Sequence, residues 1–450
     1  MDAATAVAWS ALGGAAEPAA RVEYVGTPGL AARLPVRELA RATVGVCSLA
    51  AAELLATRTG RGLPGVRIDE GAVAVAFTSE RHLRVDGRPI PLFAPLSGFW
   101  RSADGWVRTH ANYPHHRARL LAALGLTDSG DDAELAPRLS ATIAERAARA
   151  VQETVYRAGG LAVEVVPPVP LEHPLVTVNV SAPQAAAPLL PASLPAEGVR
   201  VLDLTRVLAG PVATRTLALL GADVLRVDAP WLREDDGTHI DTGFGKRSTR
   251  LALEDPADRA ALGRLLDAAD VVVTGYRPGA LDRYGLDAET LLARRPGLVV
   301  AQLCAWGWTG PWAGRRGFDS LVQAGTGIAV VEQGDDGRPG TLPAQALDHG
   351  TGYLVAAGVL RGLTDRARTG SGRVVRFSLA GTAAWLLQGI VPEPRPEGGP
   401  EHPDRWLVDT DSSYGRLRHA RSPLGVEGVP TDWAHPPGRW GTDEARWALG

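Results

Sequence analysis

Short apolar runs alternate with amphipathic stretches through the middle of the chain. VRVLDL (199–204) precedes a loop, TRVLAG, and then PVATRTLALLG, where Pro211 suits a first helical position and Gly221 a helix end. ADVLRVD is a second strand. STRLALE leads into DPADRAALGRLLDAA, in which Asp255 caps and Pro256 opens a helix. DVVVTGY, a helical region PGALDRYGLDAETLLARRP and the strand GLVVAQLCA continue the alternation. Strands apolar on both faces and separated by helices predict an α/β architecture, a doubly wound, Rossmann-like and mostly parallel sheet. Ligands are then expected beyond the carboxyl ends of the strands.

The N-terminal part has a different rhythm. FWRSADGWVRTHA reads as a hairpin turning at Ala103-Asp104-Gly105, followed by helical HHRARLLAALGL and ELAPRLSATIAERAARAVQETVYRAGG and a strand, LAVEVV. This is a smaller α+β domain. Proline and alanine dominate 181–197, a linker, and a second break falls in VPEPRPEGGPEHPD, 391–404. The predicted units are therefore 1–94, 95–180, the linker, 198–390, and a tail at 391–450 that packs on the large domain.

An internal echo links two of these units. VGVCSLAAAELLATRTGRGLPGVRI (44–68) and TGYLVAAGVLRGLTDRARTGSGRVVRF (351–377) each run from an Ala/Leu helix through Arg-Thr-Gly-x-Gly to a strand. Matching the copies sets Arg41 at the place that Asp348 holds in the second. Arginine is a poor helix cap, since it accepts no hydrogen bond and its charge opposes the helix dipole.

Composition narrows the field without naming a function. The chain has 450 residues, 45% hydrophobic and 22% charged, with a net charge of −3. That balance fits a multi-domain globular protein and argues against nucleic-acid or polybasic membrane binding. Two cysteines, Cys47 and Cys304, allow neither a disulfide framework nor a cysteine zinc site, and a cytoplasmic location is expected. The start MDAATAVAWSALGG lacks a basic n-region, and ATVGVCSLAAAELLA reads as a buried helix, too short to span a bilayer.

Several chemistries find no support. The loop RVLAGPVA has one glycine where a dinucleotide fingerprint needs three, although Asp228 ends the second strand as a ribose-binding acid would. His115-His116 are adjacent and diverge on a helix, so no metal site is expected. No GxSxG elbow or phosphate-gripping loop occurs. Arg226, Lys246, Arg247, Arg277, Arg283, Arg315 and Arg316 sit at strand ends and loops, either as solvated surface or as a groove for a polyphosphate ligand. One aspartate stands out, Asp348 in LPAQALDHGTGYLVAAGVL. At a helix start its carboxylate would ordinarily be a cap.

VLDLTRVLAGPVATRTLALLGADVLRVD, GKRSTRLALEDP, ADVVVTGYRPGALDRYGLD, GFDSLVQAGTG and ALDHGTGYLVAAGVL resemble, in order over 198–387, the motifs of the class III CoA-transferases (CaiB/BaiF type). That family includes formyl-CoA and carnitine CoA-transferases and α-methylacyl-CoA racemase. Residues 37–179 resemble what normally follows the nucleophile helix, so the small domain precedes the sheet here in a rearranged order. A permutation or a fused pair that lost one sheet and one nucleophile would both produce it.

The resemblance implies Asp348 as catalytic nucleophile and coenzyme A or acyl-CoA as substrate, with no tightly bound cofactor. It implies Val207, Leu208 and Ala209 beside the pantetheine, Leu251, Ala252 and Glu254 on the adenine side, and Arg283 and Arg316 at phosphates. Gly275 falls on a polar contact this chain lacks. A family arginine is Ala229 here, with Arg233 as its substitute, and Gly398-Gly399 is a weak match for a covering loop. The implied partners are an acyl-CoA donor and a carboxylic-acid acceptor, in an interlocked homodimer. Racemisation is the alternative within the family, but Phe318 stands where racemases carry a proton-moving histidine. A noncatalytic CoA-binding protein is the other alternative, and the intact Asp348-x-x-Thr351-Gly352 speaks against it.

Overall fold

The computed structural model describes residues 2–181, 189–394 and 402–448. Gly398-Gly399 lie outside them. The N-terminal part contributes β1 (Val22–Val25), α1 (Val36–Thr59), β2 (Val66–Asp69), β3 (Arg84–Val85), β4 (Phe99–Arg101) and β5 (Trp106–Thr109). It continues with α2 (Pro114–Ala123), α3 (Asp132–Ala144), α4 (Ala148–Arg157), β6 (Ala162–Glu164) and β7 (Thr177–Val180). The alternating segment supplies β8 (Arg200–Leu204), α5 (Ala209–Leu219), β9 (Asp223–Asp228), β10 (Arg247–Arg250), α6 (Pro256–Ala268), β11 (Val271–Thr274) and β12 (Val299–Cys304). After it come α7 (Asp319–Gly325), α8 (Ala346–Thr369), β13 (Arg373–Ser378), β14 (Leu407–Ser412) and β15 (Gly415–Ala420).

The large sheet has the order β10-β9-β8-β11-β12-β13-β7. All its pairings are parallel except the last, where β7 runs antiparallel to β13 with Val375 opposite Val178. Strand order reverses between β8 and β11, the switch point that opens a crevice in such sheets. Its strands are buried on both faces, which is why they read as unbroken apolar runs. One face (Val201, Val271, Val299) meets α1, α5 and α8. The other (Leu202, Val272, Val300) meets Leu262 and Leu265 of α6 and Trp447 of the tail. As expected, Asp255 caps α6, accepting from the N–H groups of Ala257 (2.7 Å) and Asp258 (3.2 Å).

The small domain is the antiparallel sheet β4-β5-β6 closed by α2, α3 and α4 around Val107, Leu120, Leu139 and Val151. The tail hairpin β14–β15 pairs with β3 of the N-terminal part rather than with the large sheet.

The echo has a structural counterpart. Helices α1 and α8 each have 24 residues and pack against each other. Each ends on a left-handed glycine, Gly60 (φ 67°) and Gly370 (φ 72°), where a side chain would clash with the backbone. Strands β2 and β13 follow, each parallel to an earlier strand, β1 and β12. Equal helix lengths correct the expected match. Asp348 is the third residue of its helix, and the third residue of α1 is Glu38, not Arg41. Arg41 is instead buried in a bridge to Asp2 and Glu393. By length and composition α1 could cross a membrane, yet 83% of its most apolar window is buried within the protein.

Because β7, α1 and the sheet share one core, the N-terminal part is structural support for the large domain. Trimming the chain to residues 196–450 would uncover the apolar face that α1 buries, at about 1.5–3 kcal/mol per large side chain. That fragment should aggregate or unfold, as seen by size-exclusion chromatography and dye binding. A soluble, cooperatively unfolding fragment would refute this reading.

Candidate active site

The first turn of α8 decides how Asp348 is used. The residue before the helix, Gln345, makes no side-chain cap. The free N–H groups of Leu347 (2.9 Å) and Asp348 (3.0 Å) donate to the Oδ2 of Asp319, the first residue of α7. Asp319 is held in turn by the Gln323 amide. The cap expected of Asp348 is therefore made by Asp319, and the Asp348 carboxylate is left free of that task. Sequence reasoning missed Asp319. Its signal, an aspartate after Phe318 in GFDS, has no spacing relation to Asp348 and becomes legible only when α7 meets α8.

Asp348 is buried, and its carboxyl is pushed well above the usual carboxylate range. Burial is the larger cause, followed by the like charges of Asp319 and Glu80. The backbone N–H of Ala209 favours the charged form. Asp319, also buried, is raised to about 6, burial outweighing its hydrogen bonds from Asp348 and Gln323. His349 is turned away from the cleft to Glu80, 3.3 Å from its carboxylate, and stacks on Phe77. α5 starts close against α8 because of Gly352, where an added Cβ would stand 2.6 Å from the Ala209 carbonyl.

Asp348 lines a cleft of about 690 Å³ that opens over the carboxyl ends of the strands. Of the residues singled out from sequence, Val207, Ala209, Leu251, Glu254, Gly275, Arg283 and Arg316 line it together with Asp348. Leu208 and Ala252 do not. Leu208 is buried ahead of α5, and the Ala252 N–H is occupied by Asp258 at 2.7 Å.

The basic residues separate into two groups. Arg226 and Lys246, expected at a groove, are interior. Arg226 pairs with Asp228 (2.8 Å) and Glu234 (3.2 Å), and Lys246, lowered to about 8 by burial, pairs with Asp203 (3.1 Å). Arg233 pairs with Asp236 outside the cleft, so it does not replace the arginine missing at Ala229. Arg247 and Arg315 are matched to Asp223 and Glu153. Arg283 meets Glu254 at 3.2 Å, both largely exposed. Arg277, Arg316 and Arg119 of the small domain line the cleft and form no ion pair among the described residues. Arg316 is lowered by burial and by the neighbouring charges of Arg277 and Arg119.

The loop carrying Val207 is strained. Val207 has φ 69°, a left-handed conformation that a β-branched residue rarely adopts, at a cost of about 1–3 kcal/mol. Its N–H donates to the buried carboxylate of Glu234 (3.0 Å), which also accepts from Arg226 and from the Tyr113 hydroxyl. One carboxylate thus ties the loop beside Asp348 to the small domain.

A cleft at the switch point of a parallel sheet, closed by a freed aspartate on a long helix, defines an α/β protein built around one carboxylate. Residues 196–406 match the sequence model of CoA-transferase family III. The probable fatty acyl-CoA transferase of Mycobacterium tuberculosis is 32% identical over 229 residues, 46% of this chain and 58% of that protein. Succinate–glutarate CoA-transferase of Agrobacterium fabrum is 29% identical over 287 residues, 56% of this chain and 70% of that protein. A solved CaiB/BaiF family protein from Brucella suis is 31% identical, with 44% of this chain and 59% of that one covered and a TM-score of 0.40. The chain spans 58% of the Mycobacterium relative and 48% of the human succinyl-CoA:glutarate CoA-transferase.

The raised carboxyl of Asp348 has a thermodynamic consequence. The folded protein holds this proton more tightly than the unfolded chain, so stability falls as pH rises above the ordinary value of 3.8. Asp348→Asn removes that loss while leaving the Asp319 cap in place. Its Tm should gain on the parent's between about pH 5 and pH 8, read by differential scanning calorimetry. A Tm that drops at pH 8 would mean that Asp348 is a stabilising cap after all.

Proposed function

We propose that the protein is an acyl-CoA:carboxylate CoA-transferase with Asp348 as nucleophile. The observation that carries this reading is a buried carboxylate, freed of capping, in a cleft also lined by arginines that form no ion pair among the described residues. A carboxylate removed from water is less stabilised as an anion and more reactive toward a thioester. The names of the relatives, among them a succinate–glutarate and an acetyl-CoA:oxalate CoA-transferase, support the class of reaction.

In this reading the Asp348 carboxylate attacks the acyl carbon of the donor thioester. The C–S bond breaks, giving an acyl-aspartyl anhydride and CoA thiolate. Thiolate then attacks the Asp348 carbonyl carbon, releasing the donor acid and leaving an aspartyl-CoA thioester. The acceptor carboxylate repeats both steps in reverse, which restores Asp348. Overall one thioester is exchanged for another and one free carboxylate for another, so the net transfer is not steeply uphill. The Ala209 N–H is placed to stabilise developing charge at Asp348. Val207 and Ala209 would flank the pantetheine, Leu251 and Glu254 the adenine, and Arg277 and Arg316 the phosphates. Racemisation needs an acid and a base flanking the α-carbon, and Phe318 lines the cleft where it offers no proton.

Asp348→Asn should retain the fold and lose CoA transfer by orders of magnitude, followed as CoA exchange between acyl-CoA and free acid by mass spectrometry. With hydroxylamine, acyl-CoA should derivatise Asp348 in the parent and not in the variant. Near-parental transfer by Asp348→Asn would sink the mechanism.

A second expectation concerns CoA itself. Arg316→Ala should weaken its binding by about 1–3 kcal/mol, as for loss of a charge-assisted hydrogen bond. Arg283→Ala should weaken it less, because Arg283 already has Glu254. Calorimetric titration that ranks them the other way would move the phosphates to Arg283.

A further inference from the structure

The turn after β9 presents a tryptophan that the fold itself does not use. Ala229-Pro230-Trp231-Leu232 is a β-turn closed by the Leu232 N–H on the Ala229 carbonyl (3.0 Å), and Pro230 stands where its fixed φ suits such a turn. Both flanks are pinned. Asp228 is held by Arg226 (2.8 Å) and by the Trp440 indole N–H (2.9 Å). Glu234 is held by Arg226 (3.2 Å) and by the Val207 N–H (3.0 Å). Trp231 therefore stands on a braced turn.

A single exposed apolar residue is ordinary, but this one is set apart twice. Of the chain's twelve tryptophans it alone is exposed, at 60%, and it lines the cleft. No hydrogen bond or ring contact engages it among the described residues. Others are built in, as Trp433 is through its N–H to the Arg215 carbonyl (2.7 Å) and Trp447 to the Leu265 carbonyl (3.2 Å). A bare, amphipathic ring on a concave wall is a surface for a ligand.

The surroundings narrow that ligand. From the end of β10 to the end of β12 the cleft crosses four strand spacings, roughly 19 Å, which is room for an extended molecule. Trp231 is on the β9–β10 side, where Leu251, Leu253 and Glu254 also line the cleft. The Leu251 N–H donates to the Asp228 carbonyl (3.0 Å), so this segment runs beside the turn. No cation of the turn enters the cleft, since Arg233 pairs with Asp236 outside it. A flat ring, aliphatic neighbours and the exposed carboxylate of Glu254 suit an uncharged aromatic base with an exocyclic amine.

We propose that Trp231 stacks on the adenine of the CoA donor, with Glu254 accepting from its exocyclic amine. The site then selects free CoA esters over thioesters of phosphopantetheine, which carry no base. This rests on the CoA-transferase reading and adds to that site a residue that grips by its face.

The test is calorimetric titration of CoA, and of 4′-phosphopantetheine, which lacks the adenosine, into the parent and three variants of Trp231. Because the ring is exposed, all three should keep the parent's Tm. Trp231→Ala should weaken CoA binding about tenfold, the order of one base–aromatic stack, and leave 4′-phosphopantetheine unchanged. Trp231→Phe, which keeps an aromatic face, should restore most of the affinity, and Trp231→Leu should not. Unchanged CoA binding by Trp231→Ala overturns the proposal, as does an equal loss for the two ligands. A leucine variant that binds CoA like the phenylalanine one reduces the ring to an apolar contact and overturns stacking. Turnover tests the acyl chain as the other occupant. If Trp231→Ala lowers kcat/KM for octanoyl-CoA and not for acetyl-CoA, the ring meets the chain and the proposal fails. A parent that binds no CoA refutes the transferase reading and this inference with it, whereas CoA binding untouched by Trp231→Ala refutes this inference alone.

Discussion

The bond from the Asp348 N–H to the Asp319 carboxylate, with its companion from Leu347, carries the arrangement of the site. A helix start needs acceptors for its free N–H groups, and an aspartate within the first turn would ordinarily supply one. Asp319 meets that need from another helix. Asp348 is then an acid in the positive field of a helix N-terminus with no structural duty. Both carboxyls are buried, which is the main reason that both hold their protons tightly, and for Asp348 the charge of Asp319 adds to it.

Around this pair the protein excludes water by using both halves of the chain. The large sheet provides the loops at its switch point, and α5 closes on α8 through Gly352. The small domain supplies Tyr113 and His116 as the facing wall. Glu234 couples the two halves, bonding the strained Val207 loop and the Tyr113 hydroxyl. A loop held in a disfavoured conformation persists only where its surroundings over-determine it, and the buried Arg226–Asp228–Glu234 cluster does so here.

Two helices of equal length lie against each other, and only one carries a freed aspartate at its third position. In α1 that place belongs to Glu38, which accepts the Glu393 N–H at 3.0 Å, while the buried Arg41 pairs beside it with buried Asp2 and exposed Glu393. The first copy thus has its carboxylate tied into structure, and the second has its carboxylate left open to a cleft. The antiparallel strand β7 returns from the small domain to finish the sheet beside β13.

The alternation of apolar runs and helices was enough to read the parallel sheet and the Asp255 cap, because these depend on residues close in sequence. The small α+β domain and its hairpin were legible for the same reason. The division of labour between Asp348 and Asp319 was not, since it joins positions 29 residues apart on different helices. Nor was the fate of the arginines. As letters, Arg226 and Arg316 are equivalent cations at strand ends and loops, but burial against Asp228 and Glu234 makes one a strut, while the other lines the cleft with no ion pair among the described residues. Whether a charge is neutralised depends on which distant carboxylate the fold brings within reach. Periodicity along a chain determines which faces must be buried, and tertiary packing alone decides which charged groups remain free to meet a ligand.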